Sequence, residues 1–238
     1  MRYAIIADRG GNAAAQGMNF TDGLFPLVWE WVAHGLYWPV LLFAVWRAPW
    51  FHLRESESLN VLLGIVVAVL LLWTMEAGFA EGMRLHLLGA TLLTLMFGWP
   101  FAVIGMSLVV AGVTFSGDGG WGVFAMNALV LGVFPVAVSY GIYRIADHYL
   151  PNHFFVYIFL PAFLGAGAAI GAVGLLSGGA LGLAGIYSGE YIHYNFLRYL
   201  PLIMFPEAFI TGMLMTLFVV YQPRWVSTFD DARYLRNH

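Results

Sequence analysis

Long apolar segments joined by short polar connections constrain this chain more than any other feature. Runs such as 24–46, 121–143 and 199–221 carry very few charged residues. A helix needs about 20 such residues to cross about 30 Å of hydrocarbon. Only 10% of the 238 residues are charged, whereas a soluble domain carries about 25%, so the chain cannot cover a surface that faces water. The sequence therefore predicts an all-α, polytopic transmembrane bundle.

The apolar runs predict about seven transmembrane helices. They occupy residues 24–46, 59–75, 85–97, 101–115, 121–143, 154–176 and 199–221, and the sixth leads into a glycine-rich tract at 177–185. The third run is short for a full crossing, and a Gly-Trp-Pro sequence at 98–100 closes it.

Three regions follow from this division of the chain. Residues 1–17 are mostly polar and small, which predicts a leader or a disordered extension, and the working chain is expected to begin at or near Met18. Residues 18–222 are predicted to form a single transmembrane domain. Residues 223–238 are predicted to be a cytoplasmic tail.

The placement of arginine predicts the orientation in the membrane. Loops on the same side as the C-terminus carry Arg47, Arg54, Arg144, Arg224, Arg233 and Arg236. Loops on the other side carry only Arg84 and Arg198, apart from the two arginines of the leader. Because positively charged loops remain in the cytoplasm, the C-terminus is predicted to be cytoplasmic and the N-terminus outside, in a bacterial cytoplasmic (inner) membrane.

Ionisable side chains within apolar spans are costly, so each is a candidate functional residue. Glu30 and His34 are four residues apart on one helix face, and could form half of a divalent-metal site, a proton-relay pair or a buried pair that joins two helices. Glu207 follows Pro206 in the last span, where a ligand-positioning role and a structural hydrogen-bond hub are both open. Asn127 is predicted to bond to a neighbouring helix.

Several function classes lack their sequence signals. The chain contains no cysteine, which excludes disulfides and zinc–thiolate sites. It has no P-loop and no pair of histidines at haem-ligand spacing, so no organic cofactor is predicted, and any energy must come from a partner or a gradient. A net charge of -3 does not indicate a nucleic-acid partner. The outer side is acidic and bears histidines, which suits cations better than anions.

Four segments, taken in order, resemble the CbiM/NikM family, the substrate-binding permease components of energy-coupling-factor cobalt and nickel transporters. Residues 18–26, followed by a tryptophan at 29, are similar to the family's opening. Residues 86–90 (His-Leu-Leu-Gly-Ala) resemble the start of its third span, and 119–127 resemble its glycine-rich segment that ends in asparagine. Residues 201–212 are loosely similar to its final span. The resemblance covers most of residues 18–221.

The resemblance implies a set of metal ligands. In the family, metal is bound by the N-terminal amine, by the amide nitrogen and imidazole of the second residue, and by the histidine that opens the third span. Carried over, these positions are Met18, Asn19 and His86, and Asn19 stands where the family has a histidine. Glu30 and His34 are the candidates to replace the missing imidazole.

The implied substrate is a divalent transition metal, nickel or cobalt and also copper or zinc. The implied partners are a coupling transmembrane subunit and ATPase subunits, beside the lipid bilayer itself. Because an imidazole is missing, a second hypothesis is an accessory or structural subunit of a larger membrane complex that has lost metal transport. A third, an intramembrane enzyme, rests on Glu30, His34 and Glu207 alone.

Overall fold

The predicted helical architecture is confirmed in a computed structural model, which describes residues 18–54, 56–74, 77–80 and 83–230. The predicted leader, and the tail beyond residue 230, lie outside the described residues. The helices are α1 (Leu27–Arg47), α2 (Ser56–Trp73), α3 (Ala90–Ser116), α4 (Phe124–Tyr149), α5 (Phe154–Leu183), α6 (Gly189–Asn195) and α7 (Leu200–Tyr221). One short antiparallel hairpin, β1 (Ala77–Ala80) with β2 (Met83–Leu85), departs from the all-α expectation.

The long helices of the bundle expose apolar side chains on its surface. Five helical segments of the described chain are long and apolar enough to cross a bilayer, and the apolar helix Glu57–Trp73 is shorter. In its most apolar stretch, α1 buries 17% of its residues, against 67% for α3. The outer face of α1 exposes large side chains such as Trp31 and Trp46, the latter 76% exposed. A surface of this kind requires lipid around it, so the chain is a multi-pass membrane protein.

The helix α3 is a hairpin of two arms. Gly98 interrupts it with φ 79° and ψ 164°, and Pro100 follows. The side chain of Leu93 lies 3.5 Å from the position that a Cβ atom on Gly105 would occupy. In a straight helix these residues would be separated by about 18 Å along the axis. The chain therefore reverses at Gly98, and residues 90–97, here called the half-helix, run beside the longer second arm.

The reversal at Gly98 bears on the predicted number of membrane crossings. Within the third predicted span, 85–97, only residues 90–97 are helical, because residue 85 ends β2 and residues 86–89 form neither helix nor strand. Eight residues of helix cover about 12 Å, which is less than the thickness of the hydrocarbon core. The prediction of about seven crossings is thus not confirmed, although the break at Gly-Trp-Pro lies where the sequence indicated it.

Gly98 has backbone angles that only glycine adopts readily, because a Cβ atom is strained there. We expect Gly98→Ala to lower the free energy of unfolding by about 1–3 kcal/mol. Thermal unfolding in detergent measures the change. Gly141→Ala is the matched control, because nothing lies within 4 Å of a Cβ atom added at that position. Equal melting temperatures for the two variants would contradict the assigned reversal.

The glycine-rich tract at 177–185 is helical as far as Leu183, so the sixth predicted span extends beyond residue 176. The reason is close packing of α5 against the helices that follow it. A Cβ atom on Gly171 would lie 2.9 Å from the Met204 side chain, and one on Gly178 would lie 3.1 Å from Ile192. Glycine here lets helix backbones approach, as is common in membrane bundles.

Loops gather at two opposite ends of the bundle. At one end, called here the arginine end, the connections 48–54, 98–99 and 150–153 meet the C-terminal residues 222–230. The Trp50 ring contacts Phe101 with centroids 5.4 Å apart, and Phe154 contacts Phe229 at 6.5 Å. At the other end, residues 18–26 meet the connection 117–123.

Candidate metal centre

Residues 18–26, here called the N-terminal segment, place their first three residues in the interior of the bundle. Met18, Asn19 and Phe20 are each only 2% exposed. The side chain of Asn127 holds the segment at Phe20, because its Oδ1 accepts from the Phe20 backbone N at 2.8 Å and its Nδ2 donates to the Phe20 carbonyl at 2.9 Å. Asn127 was expected to bond to a neighbouring helix, and it bonds instead to this segment.

A second contact fixes the same segment at Asp22. Its Oδ1 accepts from the backbone N of Gly122 at 2.9 Å and of Val123 at 3.2 Å, at the start of α4. Gly120 must be glycine here, because a Cβ atom would overlap the Asp22 carboxylate and lie 2.6 Å from the Asp22 backbone N. The sequence signal for this contact was the glycine-rich segment at 119–122, but Asp22 was not identified as its partner.

His86 lies fully buried just before the half-helix. Its ring packs on Trp73 with centroids 4.3 Å apart, and Trp73 Nε1 donates to the Leu88 carbonyl at 3.2 Å. His86 Nδ1 lies 3.2 Å from the Leu87 carbonyl, so this nitrogen carries the proton in the neutral tautomer. The other nitrogen, Nε2, is buried and has no hydrogen-bond partner among the residues that the structure describes. A buried unpaired acceptor is costly in a native protein, and a lone pair of this kind can bind a metal.

Glu207 holds the segment that follows His86. It is 3% exposed, and its Oε2 and Oε1 accept from the backbone N of Leu88 at 2.8 Å and of Gly89 at 2.9 Å. These two groups lie at the N-terminus of the half-helix, whose N–H groups lack partners within the helix. Of the two roles left open by the sequence, the structure shows the hydrogen-bond hub, and its partners lie next to the candidate ligand His86.

Asn19 supplies a second unpaired buried group. Its Nδ2, which is a donor, has no hydrogen-bond partner among the described residues, and Met18 belongs to the same large hydrophobic core as Trp73 and Leu88. Among the described residues, no group of three or more His, Cys, Asp or Glu side chains could hold a metal ion. A metal centre at these residues would therefore depend on backbone nitrogen as well as on side chains.

Glu30 and His34 form a different cluster, at the junction of α1 with the start of α4. His34 Nε2 lies 3.2 Å from the Gly122 carbonyl, and its Nδ1 accepts from Trp38 Nε1 at 3.1 Å. Both ring nitrogens thus have partners within the protein, which leaves no lone pair for a metal. His34 bonds to Gly122 and Trp38, whereas Glu207 bonds to Leu88 and Gly89. Because these two side chains share no contact residue, the structure gives no support to the hypothesis of an intramembrane enzyme that uses both.

The fold and this buried site define a class, that of polytopic helical membrane proteins with an N-terminal segment inserted into the bundle. Residues 19–225 match the family CbiM, described as the cobalt uptake substrate-specific transmembrane region, and the chain belongs to this family. A search of curated proteins finds no match.

Two solved structures share the fold. The crystal structure of a truncated transition metal transporter superposes with a TM-score of 0.71 at 20% identity, covering 85% of this chain and 98% of that chain. A second transition metal transporter superposes with a TM-score of 0.69 at 19% identity, covering 84% and 91% of the two chains. The agreement shows that the arrangement of helices described above is that of these transporters.

Proposed function

We propose that this chain is the substrate-binding permease component for uptake of a divalent transition metal of the cobalt or nickel type. The observation that carries the proposal is the lone pair of His86 Nε2, which is buried and has no hydrogen-bond partner in the described part of the chain. The proposed ligands are His86 together with Met18 and Asn19 of the N-terminal segment. Family membership supports the same assignment.

The chemistry of Asn19 distinguishes this site from one with two imidazoles. A neutral side-chain amide binds metals through its oxygen, which is a harder ligand than imidazole nitrogen. Nickel and cobalt favour imidazole nitrogen, so we expect weaker binding than a second histidine would give. An amine from Met18 requires a chain that begins there, and intact mass spectrometry of the purified protein identifies its first residue.

The proposed orientation places the arginine end in the cytoplasm of a bacterial cell, across its inner membrane. Arg47 and Arg224 lie at this end, which agrees with the rule for positively charged loops. We count seven passes if the half-helix and residues 86–89 before it form one composite pass. The transmembrane domain is then 18–222, residues 223–238 form a cytoplasmic tail, and coupling and ATPase subunits supply the energy.

Calorimetry on the purified full chain with nickel, cobalt, copper or zinc tests the proposal. We expect binding by the wild type, and a loss of affinity of at least about tenfold in His86→Ala, because a metal ligand is removed. The matched control is His193→Ala, since His193 is exposed on α6. Wild-type protein that binds none of the four ions, or His86→Ala protein that binds like the wild type, would refute the assignment.

Asn19 also supports a second candidate, an accessory subunit of a larger membrane complex that has lost metal transport. If the chain had lost metal transport but kept the fold of the family, an amide could replace the imidazole ligand without other changes. Purification from native membranes discriminates between the two. A stoichiometric membrane partner unrelated to ATPases, with no metal in the sample, would favour the second candidate.

A further inference from the structure

The C-terminal end of the half-helix is held by residues outside α3. The last carbonyl groups of a helix lack partners within it. Here the Met96 carbonyl accepts from the Ser227 backbone N at 2.8 Å. The Leu95 carbonyl accepts from Thr228 Oγ1 at 2.6 Å and from the Thr228 backbone N at 3.4 Å. Residues 222–230, here called the C-terminal strap, therefore cap the half-helix at the arginine end.

The strap is itself anchored to three other helices. Trp225 Nε1 donates to Glu57 Oε1 at 2.8 Å, and Arg224 forms an ion pair with the same oxygen at 2.9 Å, which joins the strap to α2. Thr228 Oγ1 lies 2.7 Å from the hydroxyl of Tyr157 on α5, and the hydroxyl of Tyr143 on α4 donates to the Thr228 carbonyl at 3.3 Å. Thr228 is thus the point where the half-helix, α4 and α5 meet the strap.

Hydrogen bonds and apolar packing both hold the strap against the half-helix, because side chains of both belong to one buried hydrophobic cluster. A cavity of about 480 Å³ opens beside them, and Met96, Phe97, Trp225 and Ser227 line it. Side chains that face a cavity lack partner atoms on one side and restrain each other less. Loss of the hydrogen bond from the Thr228 hydroxyl therefore weakens the restraint on the end of the half-helix, where the cavity leaves room for movement.

The other end of the half-helix is bonded to the same part of the chain. Glu207 on α7 holds Leu88 and Gly89, and the strap follows directly after α7. Between these two attachments lies a helix about 12 Å long, whose internal hydrogen bonds make it stiff. The half-helix is also bonded to α4, where Thr91 Oγ1 lies 2.7 Å from Ser139 Oγ. A change in its position at Leu95 reaches residues 86–89 because the stiff helix moves as one unit.

We propose that Thr228 is a positioning residue for the candidate metal centre, and that it acts through the half-helix on the segment bearing His86. The inference rests on the proposed function for its effect on metal affinity. The structural connection between Thr228 and residues 86–89 does not depend on metal binding. The strap lies at the arginine end, so a partner that binds there could change metal affinity through this connection.

Hydrogen–deuterium exchange on the metal-free full chain in detergent tests the connection, with Thr228→Val and Thr228→Ser compared. Valine removes the hydroxyl at nearly constant shape, and serine keeps it. We expect Thr228→Val to raise the exchange rate of the Leu88 and Gly89 amides about tenfold, the factor that corresponds to one hydrogen bond. Thr228→Ser should remain within about twofold of the wild type.

Thr216→Val is the matched control, because it also removes a hydroxyl that donates to a carbonyl, that of Gly212 on its own helix at 2.7 Å. Faster exchange confined to the strap in Thr228→Val, or an equal effect in Thr216→Val, would overturn the inference. Where the wild type binds metal, affinity should fall about tenfold in Thr228→Val only. Wild-type protein without metal binding would refute the proposed function, and the exchange rates would still decide the connection.

Discussion

Glu207→Gln should destabilise the protein by about 3 kcal/mol and weaken metal binding at least about tenfold. Each carboxyl oxygen accepts one backbone N–H, from Leu88 and from Gly89. Glutamine offers one acceptor oxygen, and its amide nitrogen would face the second N–H donor. One buried donor is then left without a partner, and the segment that bears His86 loses one of its two attachments.

The measurements are thermal unfolding in detergent and calorimetric metal binding, compared with Glu57→Gln. Glu57 also pairs with the C-terminal part of the chain, but it is 44% exposed, and exposed ion pairs contribute only about 0–1 kcal/mol. Glu207→Gln should therefore cause much the larger loss of stability. An unchanged melting temperature together with unchanged metal affinity would show that Glu207 does not position the metal segment.

The helical architecture could be predicted from sequence because it depends on composition and length. A span such as 199–221 is too apolar to form a surface helix in water. Gly-Trp-Pro at 98–100 marked a break in the helix, because glycine adopts backbone angles closed to other residues and proline cannot continue a helix from the preceding turn. The end of the sixth span was wrong for a physical reason. Glycine in this tract serves helix packing rather than a turn, and only the positions of Met204 and Ile192 reveal which.

The contacts of the candidate site were harder to predict, because they join residues about a hundred or more positions apart. Glu207 was identified as a costly buried group, but its partners are backbone N–H groups, which carry no sequence signal. Trp73 was not identified at all, since a tryptophan at the end of an apolar run usually lies at the membrane interface. In contrast, the His34 ring was a plausible metal ligand until its two partners became visible.

Asn19→His should strengthen nickel and cobalt binding by about a hundredfold, because it replaces an amide with an imidazole nitrogen. Asn19 is 2% exposed, so a histidine placed there would be buried. Calorimetry measures the affinity, and Asn19→Leu is the control that removes the amide without adding a ligand. Melting temperatures show whether each variant keeps the fold.

The double variant Asn19→His with His86→Ala decides whether the two residues act on one metal ion. If both are ligands of the same ion, the gain from the new imidazole should depend on His86, and the effects of the two substitutions should not add. If the gain persists in the absence of His86, the new histidine binds metal at a separate place, and the shared centre is wrong. A folded Asn19→His protein with wild-type affinity would equally mean that the N-terminal segment does not supply ligands, and the accessory-subunit hypothesis would then be favoured.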